Sequence, residues 1–270
     1  MLGACGSGFV YNRLDWLSRY YLSSQVTLDD AQSRALESNV DAFFAWHRRS
    51  ELPRYASFLD GMADDASHPL SVQQLEAGQR EVRSFMRDSA AHAAPAAARW
   101  LDGLRPAQVD ELFASLAEKD RKGLAEKCDG TPAERRAKSA AEFIDKVEDW
   151  TGRLGHGQRD MIRTRYATLE TDECEQLMTR AQSRQEFRAL VERYRTKPEF
   201  AERIADFLAH PENRRDAAYR ERYEADRKRF LGLLADINHS LTAEQRGRTV
   251  ERLRLYAREM RGLAAESDKT

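Results

Sequence analysis

The feature that most limits what this chain can fold into is a helix start used five times. Leu28-Asp-Asp-Ala-Gln32, Leu70-Ser-Val-Gln-Gln74, Leu104-Arg-Pro-Ala-Gln108, Leu154-Gly-His-Gly-Gln158 and Leu241-Thr-Ala-Glu-Gln245 all read Leu-x-x-x-Gln. Physically this is a hydrophobic residue ahead of the N-cap and a capping-box glutamine three residues after it. Each good cap is worth about 0.5–2 kcal/mol. With 14 Gly and 7 Pro in 270 residues, turns are few and the helices between them must be long. The expected fold is all-α: an elongated antiparallel array of about nine helices, with no sheet.

Thr131 to Gln158 shows the plan in full. Thr131 caps, Pro132 suits the first helical position, and Glu134 completes a capping box. Ala140, Phe143, Val147, Trp150 and Leu154 recur at helical spacing and predict one core-facing stripe. Gly155 and Gly157 are expected to end the helix.

The same reading extends over the rest of the chain. Residues 9–22 form a short aromatic-rich helix with Val10, Leu14, Leu17 and Tyr21 on its inner face and Trp16 and Tyr20 beside it. Asp29 opens the second helix, which continues through Leu36, Val40 and Phe43 to Pro53 and beyond. Proline removes one backbone bond and crowds the preceding turn, so bends or breaks are predicted near Pro53, Pro95 and Pro198. The expected organisation is a leader remnant and tether over residues 1–8, one helical domain over 9–265, and a frayed tail over 266–270.

Composition narrows the function classes. Charged residues are 33% and apolar ones 41%, and the net charge of −1 argues against a basic nucleic-acid binder. Of the 44 basic residues, all but the 8 lysines are arginine, the side chain that forks onto carboxylates on helix surfaces. The segment from Glu212 to Arg229, its basic residues from Arg214 onward interleaved with Tyr219 and Tyr223, also holds Asp216, Glu221, Glu224 and Asp226, and reads as a solvated helix face. No apolar run approaches the ~20 residues of a membrane span.

Motifs for catalysis are sparse. There is no Gly-rich phosphate loop, no G-x-S-x-G elbow and no H-E-x-x-H helix. His47 with Glu51, His156 with Asp160 and Asp206 with His210 have i,i+4 spacing, but a chain this charged produces such pairs readily, so no metal or cofactor is expected. The best candidate binding face is Trp46, His47, Arg48, Arg49, Glu51, Arg54 and Tyr55. An enzyme using His47, Glu51 and Arg54 is the alternative there, and the main expectation is a non-enzyme. Three cysteines are too few for a disulfide framework; Cys128 and Cys174 are expected as two unpaired thiols, with a bridge between them the alternative in an oxidising compartment.

Three segments carry a resemblance to a family. They are Tyr11-Asn12-x-x-Asp15-Trp16-Leu17, then Trp46-His47-Arg48-Arg49-x-Glu51-Leu52-Pro53-Arg54-Tyr55, and the block from Asp120-Arg121-Lys122 to Glu148-x-Trp150-x-Gly152-x-Leu154-x-x-x-Gln158. Together they resemble an uncharacterised family of Gram-negative lipoproteins over essentially the whole chain. That likeness implies a lipid-anchored helical periplasmic protein of unknown function, with no catalytic residues to carry over; Gly6 and Ser7 after Cys5, with no Asp beside it, point to the outer membrane, and envelope proteins are the expected partners. Leu2-Gly3-Ala4-Cys5 resembles a lipobox, which makes Cys5 the lipidation site. The apolar leader is then expected upstream, with Met1 an internal codon; a protein without a leader would be cytoplasmic. Leu241-Thr242-Ala243-Glu244-Gln245 also resembles the motif of periplasmic LTxxQ stress sensors and chaperones, which implies a chaperone alternative.

Overall fold

The computed structural model describes Tyr11 and residues 13–266; the expected tether and Cys5 lie outside these. Eleven α-helices follow in order: α1 (Leu14–Ser23), α2 (Asp30–Trp46), α3 (Leu52–Asp65), α4 (Val72–Asp102), α5 (Pro106–Lys127), α6 (Pro132–Thr151), α7 (His156–Tyr166), α8 (Glu173–Tyr194), α9 (Phe200–Ala209), α10 (Ala217–Ser240) and α11 (Ala243–Glu266). A π-helical turn, His47–Glu51, joins α2 to α3 as one rod, so the described residues form ten rods with no strand. The accessible surface of 15736 Å² exceeds the roughly 12,000 Å² of a compact monomer of this mass, as an extended array requires.

All five Leu-x-x-x-Gln segments begin helices, and four of them do so in pairs. Gln32 Nε2 donates to Gly103 O and to Gln108 Oε1, both at 2.9 Å. Gln108 Nε2 donates to Thr27 O at 2.6 Å and to Gln32 Oε1 at 2.7 Å. The second pair repeats the pattern: Gln158 reaches Ser240 O and Gln245 Oε1, and Gln245 reaches Arg153 O and Gln158 Oε1. Each carboxamide oxygen also accepts its own cap N–H, from Asp29, Arg105, Gly155 or Thr242. Both donors and both lone pairs of every amide are thereby used. The fifth start has no glutamine facing it. Leu70 N instead donates to the buried Asn238 Oδ1 at 2.8 Å, and Arg246 binds Ala66 O and His68 O.

Three apolar clusters sit beside these junctions. Val26, Leu101, Leu104, Phe113, Val191 and Ile204 belong to the first, next to the Gln32–Gln108 pair. Ile144, Leu154, Ile162, Leu233 and Ile237 form the second, next to Gln158–Gln245. Ala63, Ala66, Leu70 and Leu253 form the third. The 31-residue α4 links the third cluster, through Leu75, to the first, through Ala94, Ala98 and Leu101. Antiparallel pairs are stitched by arginine. Asp110 meets Arg188, Asp120 meets Arg184 and Lys127 meets Glu173 between α5 and α8; Asp60 meets Arg261 and Asp64 meets Arg254 between α3 and α11.

Several expectations need correction. Cys128 and Cys174 are joined by a disulfide, their α-carbons 4.8 Å apart, and are not free thiols. The closure is prepared by Arg135, which donates to Gly130 O and, twice, to Asp172 Oδ2; this brings the end of α5 against the start of α8. Helix α6 ends at Gly152, with φ +79° and ψ −176°, ahead of Gly155 and Gly157, because that backbone region is open essentially to glycine alone. Leu154 therefore lies past the helix, though still buried, and Ile144 and Thr151 share the buried face of α6 with Ala140. Trp150 is 36% exposed, resting on Tyr256 and under Arg252, so it is not core. Helix α4 runs through Pro95 without a break, whereas Pro198 lies in the turn between α8 and α9. In α1, Leu14 is half-buried as expected, but Leu17 and Tyr21 are exposed, and Ser18 and Leu22 are half-buried in their place. The arginines after residue 214 are not simply solvated: Arg222 bridges to Glu175, and Arg229 to Glu170 and Asp226.

Two outcomes follow from this geometry. Gln32→Ala and Gln108→Ala should be non-additive in urea unfolding, with a coupling of about 0.5–3 kcal/mol, whereas Gln74→Ala with Gln108→Ala should add. Additivity in the first cycle would mean that the paired amides act only as separate caps. Gly152→Ala should cost about 1–3 kcal/mol, since an added Cβ would also meet the Arg248 guanidinium; a neutral change would refute the requirement for glycine.

Candidate functional site

The face predicted around residues 46–55 gathers at the π turn. Pro53 cannot donate a backbone bond, and the chain widens just before it, with Leu52 N donating to His47 O in place of a tighter helical bond. The wider turn rotates the side chains apart. His47 points to Tyr11 and Tyr55: Nδ1 lies 2.7 Å from Tyr11 Oη and Nε2 lies 3.3 Å from Tyr55 Oη. Glu51, 2% exposed, receives both of its oxygens' bonds from Arg54 at 3.0 Å. Arg54 in turn pairs with Asp88 on α4 at 2.8 Å. The structure thus brings Glu51 to Arg54 and places His47 in a separate tyrosine contact.

The remaining members frame this centre. Trp46 stacks on His92 of α4 with ring centroids 3.7 Å apart, and Arg48 lies over the Tyr11 ring. Arg49 is on the exposed side. Tyr55 contacts Ser89 at 3.4 Å and the Phe85 ring. Tyr11, Asp88, Ser89 and His92 were not among the expected site residues. They stand some 36 to 45 positions from His47 in sequence, and no local spacing signals a contact between rods.

Burial sets the electrostatics. It pushes the Tyr11 hydroxyl up to about 12, with Tyr55 and Asp15 acting in the same direction and Arg48 opposing. It raises Tyr55 as well, and lowers His47 below its ordinary 6.5. A neutral imidazole donates from one nitrogen and accepts at the other, so one tyrosine donates to His47 and the other accepts. With both nitrogens engaged by weak acids, this cluster is built to join the first described residue, the α2–α3 rod and α4.

The other spaced pairs are surface contacts. His156 Nδ1 meets Asp160 at 2.6 Å and His210 Nδ1 meets Asp206 at 2.9 Å. No group of three His, Cys, Asp or Glu able to hold a metal occurs among the described residues. A second feature is an apolar groove of about 310 Å³, lined by Leu75, Phe143, Val147, Trp150, Leu234 and Leu241 among others. Its walls come from α4, α6, α10 and α11, and the half-exposed Trp150 is part of the lining.

His47 gives a pH prediction. Its folded pKa is depressed, so the unfolded chain takes up the proton first. The stability it contributes is complete above about 6.5 and falls as pH drops toward the folded pKa. Urea midpoints at pH 7.5 and 5.5 should therefore differ more for the native chain than for His47→Gln. Equal pH dependence in the two would show that His47 is not held neutral.

No curated protein and no solved structure matches the chain. A family model does, over residues 24–220, which takes in the π-turn segment, both glutamine-bearing helix starts of the first pair, and the Gly152 corner. The chain belongs to DUF6279, a family of unknown function.

Proposed function

We propose that this is a lipid-anchored protein of the periplasmic face of the outer membrane, held through Cys5, which binds other envelope proteins in grooves between its helices. The observation that carries the reading is the Cys128–Cys174 disulfide, since such bonds form and persist in oxidising compartments such as the periplasm. Leu2-Gly3-Ala4-Cys5 supplies the lipidation sequence, and Gly6-Ser7-Gly8 the tether. The groove beside Trp150 supports the binding role: its lining is largely apolar and includes Phe143 and Trp150, and aromatic residues are enriched at protein contacts.

Lipid labelling tests the reading. A precursor carrying its upstream leader should incorporate palmitate and fractionate with membranes, and Cys5→Ser should abolish both. Absence of label on the native residue would defeat the anchor. In protein isolated without reductant, Cys128 and Cys174 should resist alkylation, and their joint replacement by serine should cost about 2–4 kcal/mol. Free thiols at both positions would remove the argument for the compartment. Proteins recovered with the native chain from envelopes should be lost with Trp150→Ser, and unchanged recovery would dissociate the groove from binding.

A further inference from the structure

We infer that the outer face of α1 rests on the bilayer interface. Ten large apolar side chains are conspicuously exposed among the described residues, and four of them, Trp16, Leu17, Tyr20 and Tyr21, fall within six positions of α1. Trp16 and Tyr20 are 54% and 62% exposed and stack with centroids 5.5 Å apart and planes 10° from parallel. They form a flat aromatic plate facing away from the protein. The helix is held from behind by Arg19, which bridges to Glu37 and Asp41 of α2, and by the buried Gln25 and Val26 that follow it. At the rim, the Lys119 ammonium lies 4.1 Å from the Tyr21 ring centre.

The chemistry and the position along the chain both select a lipid surface. Tryptophan and tyrosine have an apolar body and one polar atom, and they concentrate where acyl chains meet headgroups. A lysine beside them suits lipid phosphates. This choice of occupant rests on the anchor reading above: Trp16 stands eleven positions after Cys5, a reach of at most about 40 Å. A plate on so short a tether meets the bilayer at an effective concentration near the millimolar range, so weak insertion of four side chains suffices. The contact would fix how the helical array stands on the membrane, which a single attachment point alone cannot do.

The test separates this inference from lipidation in cells. With Cys128 and Cys174 bonded to each other, Cys5 is the remaining thiol of three, and the full chain can be coupled through it to a maleimide lipid. The vesicles are mixed phosphatidylethanolamine and phosphatidylglycerol with brominated acyl chains. Bromine should quench a component of tryptophan emission that is missing in Trp16→Phe, and Tyr20→Ser should weaken that quenching while leaving the circular dichroism unchanged. Equal quenching in the native chain and Trp16→Phe overturns the proposal, even if palmitate labelling succeeds. Two results in free solution would also overturn it. Protection of Trp16 from acrylamide would mean that the chain's own first residues cover the plate. A dimer abolished by Trp16→Ser would mean that a second copy does.

Discussion

The paired glutamine amides are the interaction on which the arrangement of helices depends. Bringing two helix N-termini together is unfavourable, because each carries about half a positive charge and several unbonded N–H groups. Gln32 with Gln108, and Gln158 with Gln245, remove the difficulty with neutral groups. Every amide takes its own cap N–H and donates to the carbonyl just before the partner's leucine. Two glutamates could cap singly but would face each other as like charges. The start of α6 makes the contrast plain: Glu134 holds the same position, bonds Thr131 N at 2.8 Å, and faces no second glutamine. All four members of the paired starts are carboxamides, whereas the starts that stand alone use either group, Gln74 at α4 and Glu134 at α6.

Given those fixed starts, the direction of the remaining helices is set by contacts at their far ends. Arg135, Asp172 and the disulfide close the α5–α8 end. Beside it, the buried Asp226 accepts the amides of Glu170 and Thr171 and the Thr171 hydroxyl. Burial alone would raise that carboxyl; the amides, the hydroxyl and Arg229 together hold it below the usual carboxylate range. The richness in arginine is explained at these points. A guanidinium can bond a carboxylate and one or more backbone carbonyls together, as Arg135 does with Asp172 and Gly130 and Arg184 does with Asp120 and Leu116.

Helix starts were legible in the sequence because capping is local: Asp29, Ser71, Thr131 and Asp172 each act within three residues. The pairing of those starts was not legible, since Gln32 and Gln108 are 76 positions apart. The disulfide escaped for the same reason, its cysteines being 46 apart and joined across a helical hairpin. Trp150 and Tyr21 misled because 3.6-residue spacing shows that a stripe exists without showing which of two adjacent stripes faces inward. At the candidate site, the residue set from Trp46 to Tyr55 was visible, but the π turn was not. At that turn His47 bonds Tyr11 and Tyr55, while Glu51 bonds Arg54.

The two most distinctive segments turn out to do related work. In Glu148-x-Trp150-x-Gly152-x-Leu154-x-x-x-Gln158, Glu148 accepts Leu154 N and Arg159, Gly152 ends the helix, Leu154 is buried and Gln158 enters a clasp. In the segment from Trp46 to Tyr55, the π turn passes a proline while stacking and hydrogen bonds tie it to α4. Both are corners whose polar groups bond within the chain. The distinctive segments of this sequence are therefore engaged in shape, and two apolar surfaces are left open: the groove beside Trp150 and the plate on α1. Surfaces of that kind gain free energy by covering themselves, not by making or breaking bonds. The proposed binding role rests on that physical distinction.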